Sequence, residues 1–171
     1  TRIGASVAKG LSRFVGRAKS ITFLMETYEK TQSGSGQIVG IVGEAGVGKS
    51  RLLLEFKKRL SNDNFIYLEG RCLQYGGSMV YLPVLDILRS YFEFKDGDQS
   101  LLIKKKMEEK ILQLDEKMKG ALPAFHELLS LKVEDQSYQK LQPMQKREKA
   151  FEAIRDLLVR ESLFLNSRRS L

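Results

Sequence analysis

The chain has 171 residues, 42% of them apolar and 29% charged, with a formal charge of +8, one Cys and one His. It is too apolar to be disordered and too charged to be a membrane protein, and its length is that of one domain of ordinary size. A lone Cys72 excludes an internal disulfide, and Cys72 with His126 falls short of the about four protein ligands of a structural zinc site.

In chain order, residues 1–13 show no sustained apolar period and read as a linker from an upstream domain. Ile21, Met25 and Tyr28, with Ala18 before them, predict an amphipathic helix over residues 17–31, broken by the Gly- and Ser-rich stretch 32–36. Ile38, Val39, Ile41 and Val42 form a short β-branched run that predicts a strand buried on both faces of a parallel sheet. Leu52, Phe56 and Leu60 predict a helix ending near the turn formers at 61–64, and Phe65, Ile66, Tyr67 and Leu68 a second strand. Strand, helix and strand in that order make a βαβ unit.

After Gly76 and Gly77 the pattern becomes helical. Leu85, Leu88 and Phe92 form one stripe, and Ile103, Met107, Ile111, Leu114 and Met118 another. Leu122, Phe125, Leu128 and Leu129 predict a shorter helix with Pro123 near its start, where proline is tolerated. A last helix follows Pro143 and carries Phe151, Ile154, Leu157 and Leu158; residues 163–165 offer the start of a third strand, and 166–171 read as an irregular tail. No apolar run approaches the about 20 residues that span a bilayer, and the start lacks a secretory pattern, so the default compartment is cytoplasmic. The positive charge is divided between the two ends. Lys104, Lys105 and Lys106 precede Glu108, Glu109 and Lys110 at spacings that pair on a helix, which describes a solvated face. No nucleic-acid-reading motif accompanies it, so a nucleic-acid partner is not expected.

The chemistry lies between the first strand and the helix after it. Gly43, Glu44, Ala45, Gly46, Val47, Gly48, Lys49 and Ser50 satisfy G-x-x-x-x-G-K-[ST], the phosphate loop. Glycines let the backbone turn successive N–H groups towards phosphate oxygens, and the helix beginning near Lys49 adds its N-terminal dipole. Lys49 is the candidate for the β- and γ-phosphates, Ser50 for a Mg²⁺ ligand, and Arg51 follows them in the nucleotide-binding set. The plainer alternative is a glycine-rich turn with a surface lysine. Hydrolysis in this class also needs an apolar strand ending in an acid. Residues 80–86 end in Asp86, but Pro83 forbids a central strand there; Glu69 closes the second strand candidate as a surface group; and residues 163–171 contain no acid.

The FVGR segment at 14–17, the QIVGIVGEAGVGKSRLLLEF segment at 37–56, YLEGRC at 67–72 and YLPVLDILRSYF at 81–92 together resemble the ATPase module of bacterial multidomain signalling proteins. These are AAA-like or STAND-type P-loop ATPases, often fused behind a class III adenylate or guanylate cyclase domain and followed by helical repeats. Residues 147–161 resemble the helix that precedes the Walker B strand in such proteins. The resemblance implies an α/β P-loop NTPase fold, here a partial parallel sheet with a large helical portion over residues 14–165. It implies ATP or ADP with Mg²⁺ as ligands, and occupancy acting as a switch on neighbouring domains, cyclase- or kinase-like upstream and helical repeats downstream. It places Phe14, Val15 and Arg17 near the adenine. Ser20 stands where relatives usually carry an acid, and the Walker B acids are missing, so hydrolysis is expected to be impaired in these 171 residues.

Two other roles stay open on the residues: a P-loop phosphotransferase, and a helical interaction fragment in which nucleotide binding is incidental. Cys72 reads as a small core residue, and His126 as an ordinary surface or helix-packing residue.

Overall fold

Where apolar residues recur every three or four positions, the computed structural model forms helices. The structure describes residues 13–60, 65–72 and 81–169, with side chains through 165. The linker expected at 1–13, except Arg13, the turn formers at 61–64, and Gly76 and Gly77 lie outside the described residues. The chain divides into two units, Thr1–Asp63 and Asn64–Leu171.

In the first unit, α1 (Ala18–Gln32) packs on α2 (Lys49–Arg59). Ile21 and Leu24, one turn apart on α1, bury against Leu52 of α2, with Phe14, Met25, Ile41 and Phe56 around them. The rings of Tyr28 and Phe56 meet edge to face at 6.3 Å, an arrangement that aromatic quadrupoles favour. Thr27 is buried in the same stripe, and its hydroxyl donates to the Phe23 carbonyl at 2.7 Å, so no polar atom of its side chain is stranded.

The second unit contains α3 (Leu82–Tyr91), α4 (Ser100–Leu114), a 3₁₀ helix (Glu116–Ala121), α5 (Leu122–Leu128), the single turn α6 (Gln136–Gln139) and α7 (Pro143–Arg169). Met107, Ile111 and Phe125 are fully buried at its centre, each burial worth roughly 1.5–3 kcal/mol. Phe92 lies between Phe125, met edge-on at 5.8 Å, and Phe94, stacked at 5.5 Å. The stripe from Ile103 to Met118 is not one helix. Asp115 adopts an extended conformation and its carboxylate accepts from the Lys117 N–H, ending α4 and starting the tighter helix that returns Met118 to the core. Pro123 occupies the first turn of α5, as its missing N–H allows.

Far from its sequence neighbours, Tyr91 at the end of α3 donates its hydroxyl to Glu161 of α7. Lys110 of α4 donates to the Tyr91 carbonyl at 2.6 Å, its ammonium lying 4.7 Å from the centre of the Tyr91 ring. One tyrosine thus ties three helices together.

The expected parallel sheet is absent: among the described residues there is no strand, and the fold is helical rather than α/β. A strand is stabilised by its neighbour's hydrogen bonds, and the two β-branched or aromatic runs fall in different units, each without a partner run among the described residues. Ile38 and Val42 are consequently exposed at 102% and 96%. Residues 65–72 are held by side chains instead. Leu68 packs on the helical core, the Arg71 guanidinium pairs with Glu69 at 2.7 Å, and the Arg71 N–H reaches the Asp86 carboxylate at 3.4 Å. Residues 163–165 begin no third strand, and 166–169 are helical rather than an irregular tail, because α7 continues to Arg169. None of the described helices is long and apolar enough to cross a membrane.

Candidate functional site at the phosphate loop

The loop is built by glycines and closed by two cations. Gly46 and Gly48 have φ of +85° and +90°, left-handed values that only glycine adopts at little cost. Gly48 is the N-cap of α2, where its carbonyl accepts the first intrahelical bond, from the Leu52 N–H at 2.9 Å. The amides of Lys49, Ser50 and Arg51 precede that bond, so the positive end of the α2 dipole sits at the loop. No acid occupies the first turn, and Lys57, Lys58 and Arg59 occupy the last, where cations complement the dipole.

Lys49 opens α2 and its ammonium folds back over the loop, donating at 2.8 Å to both the Gly43 and Glu44 carbonyls. An ammonium has three N–H donors, so one is left for an anion. The Ser50 side chain is exposed one residue on, and Ala45 and Val47 are exposed on the loop itself. A Cβ added to Gly46 or Gly48 would meet nothing within 4 Å, so the loop has open space around it; one added at Gly43 would touch the Val47 side chain at 3.1 Å.

The segment before α1 clasps this loop. Arg17, the N-cap of α1, donates its guanidinium to the Val47 carbonyl at 2.9 Å. Phe14 is half-buried beside the α1–α2 core, and the Arg51 guanidinium lies 5.9 Å from the centre of its ring while pairing with Glu55 at 2.9 Å. Val15 between them is exposed. The structure therefore brings Phe14, Arg17, Val47, Lys49 and Arg51 to one end of the α1–α2 pair and leaves Val15 outside. The loop motif and the FVGR segment are both legible in the sequence, but neither the Arg17–Val47 bond nor the Phe14–Arg51 stack is signalled by spacing.

The model of the AAA ATPase domain matches residues 13–164. The chain belongs to the AAA ATPase domain family. No curated protein and no solved structure matches it. Family membership makes this a nucleotide-binding, ATPase-like module.

The remaining candidates lie elsewhere. Cys72 is exposed rather than in the core, and among the described residues no group of three or more His, Cys, Asp or Glu could hold a metal ion. His126 on α5 is half-buried; desolvation, and then the charge of Lys104, hold its pKa below the ordinary histidine value.

Proposed function

We propose that this AAA ATPase module binds ATP or ADP with Mg²⁺ at residues 43–51 and acts as a nucleotide-dependent switch within a larger signalling protein. The observation that carries it is Lys49, whose ammonium is held over a left-handed glycine loop at a helix N-terminus. These residues fit a polyphosphate: the amides and the lysine supply donors, open space surrounds Gly46 and Gly48, and no carboxylate stands in the first turn. Ser50, exposed beside them, would be the hydroxyl ligand of Mg²⁺, which would neutralise the phosphate charge. Lys49 would exchange a carbonyl for a phosphate oxygen, and the loop amides would orient the anion. The Arg17–Val47 bond supports the switch: a change in loop shape pulls on the segment leading into α1. Hydrolysis by these 171 residues is proposed to be slow, because among the described residues there is no apolar strand ending in an acid to position water, and residues 163–165 are helical.

The test is titration of the 171-residue chain and Lys49→Ala with a fluorescent ATP analogue, with and without Mg²⁺, alongside phosphate release. Binding that weakens by about ten- to a hundredfold in Lys49→Ala, with negligible release from both, is expected, since a hydrogen bond to a charged group is worth roughly 1.5–3 kcal/mol. Equal affinity of the two chains removes the proposal.

A further inference from the structure

Within the second unit, a cavity of about 420 Å³ opens between α5, α6 and the first turns of α7, a size typical of small-molecule sites. Its floor is apolar, made by Ala124 and Leu128 of α5 and Ala150 of α7, and Tyr81 and Tyr138 supply aromatic walls. Two cations and one acid stand on it. Lys146 is neutralised by Glu127 at 3.0 Å and lies 5.6 Å from the centre of the Tyr138 ring. Arg147 differs: it lies 5.4 Å from the centre of the Phe151 ring, which pairs edge to face with Tyr81 at 6.0 Å between ring centres, and it has no acidic partner among the described residues. A guanidinium braced on an aromatic face has its rotamers restricted in advance, and its fork matches a carboxylate. The Tyr138 hydroxyl is sealed from solvent and faces the Glu127 carboxylate.

We propose that this cavity binds a small monocarboxylate with an apolar or aromatic body, the body on the Ala124–Ala150 floor and the carboxylate on Arg147. The charges select this class: Glu127 cancels Lys146, and Arg147 leaves the cavity one net positive charge. The residues that line this cavity all belong to the second unit and those of the phosphate loop to the first.

The test uses the 171-residue chain, isotopically labelled, and a matched pair of probes, 4-phenylbutyrate and the uncharged 4-phenylbutanol, followed by amide and methyl NMR shifts. The acid is expected to perturb Ala124 and Ala150 and to bind about fivefold tighter than the alcohol, the scale of a partly exposed ion pair. In Arg147→Gln, an exposed change that leaves the core alone, the preference is expected to fall below about twofold while alcohol binding persists. Ala150→Leu, which fills the floor, is expected to weaken both probes. Equal affinity for acid and alcohol, shifts located elsewhere, or a preference that survives Arg147→Gln overturns the proposal.

Discussion

The guanidinium of Arg17 donates to the carbonyl of Val47 at 2.9 Å, joining the residue that starts α1 to the middle of the phosphate loop 30 positions later. A bond to a charged donor at an exposed site contributes less than a buried one, so Arg17→Ala is expected to weaken binding of a fluorescent ATP analogue about three- to tenfold while leaving α1 and α2 folded. Unchanged affinity in that titration would show that the loop holds its shape without the clasp.

Gly48 caps α2 at φ +90°. A side chain in that conformation costs roughly 1–2 kcal/mol, although open space surrounds the position. Gly48→Ala is therefore expected to keep the helical circular-dichroism signal and lose about ten-fold or more in nucleotide affinity, because relief of the strain rotates the Lys49 amide away from the loop. Wild-type affinity in the alanine variant would refute the link between this backbone angle and binding.

Close approach, not a turn, explains Gly70. A Cβ there would lie 2.2 Å from the Pro83 carbonyl oxygen at the start of α3, a backbone atom that cannot swing aside. Gly70→Ala is expected to push residues 65–72 off the helical unit and break the Arg71–Asp86 contact, seen as faster amide exchange over 65–72. Exchange matching the parent would mean that this segment does not rest on Pro83.

The Tyr91–Glu161 bond holds the C-terminal half of α7 to α3. Burial first, and then Glu161, raise the Tyr91 phenol well above its usual pKa, which favours the protonated, donating form. Tyr91→Phe keeps the ring and deletes the donor, and is expected to cost about 1.5–3 kcal/mol in urea unfolding. A loss below about 0.5 kcal/mol would make the ring, and not the hydroxyl, the anchor.

His126 predicts a pH response. Its pKa is lowered in the fold by desolvation and by Lys104, against the smaller opposing influence of Glu134 and Glu108. The unfolded chain therefore takes up the proton first as pH falls, and stability that is full above the ordinary value of 6.5 declines as pH drops through the lowered folded value. Thermal midpoints measured from pH 7.5 down to 5 should decline more steeply for the parent than for His126→Gln. Parallel curves would remove histidine as the cause.

Much of the helical architecture is legible before any coordinates. The stripe Ile21, Met25, Tyr28 marks α1, Leu52 and Phe56 mark α2, and Pro123 marks the first turn of α5, because helix periodicity and proline geometry are local properties. The phosphate loop is equally local: glycine spacing, lysine and the following helix suffice to locate it. The first two strand expectations fail for a reason no local pattern contains. Residues 38–42 and 65–68 have the composition of strands, but a strand exists only through a neighbour's hydrogen bonds, and neither unit offers one among its described residues.

By itself, then, the sequence determined where most of the long helices run, where the G-x-x-x-x-G-K-S loop lies, and that the chain resembles the P-loop ATPases. Tertiary structure alone decided that β-branched residues such as Ile38 and Val42 stay exposed, that Arg17 clasps Val47, and that Tyr91 reaches Glu161. The physical reason is distance along the chain. Periodicity and capping act over a few residues, whereas pairing of strands, guanidinium with carbonyl, or phenol with carboxylate depends on which distant segments packing brings together.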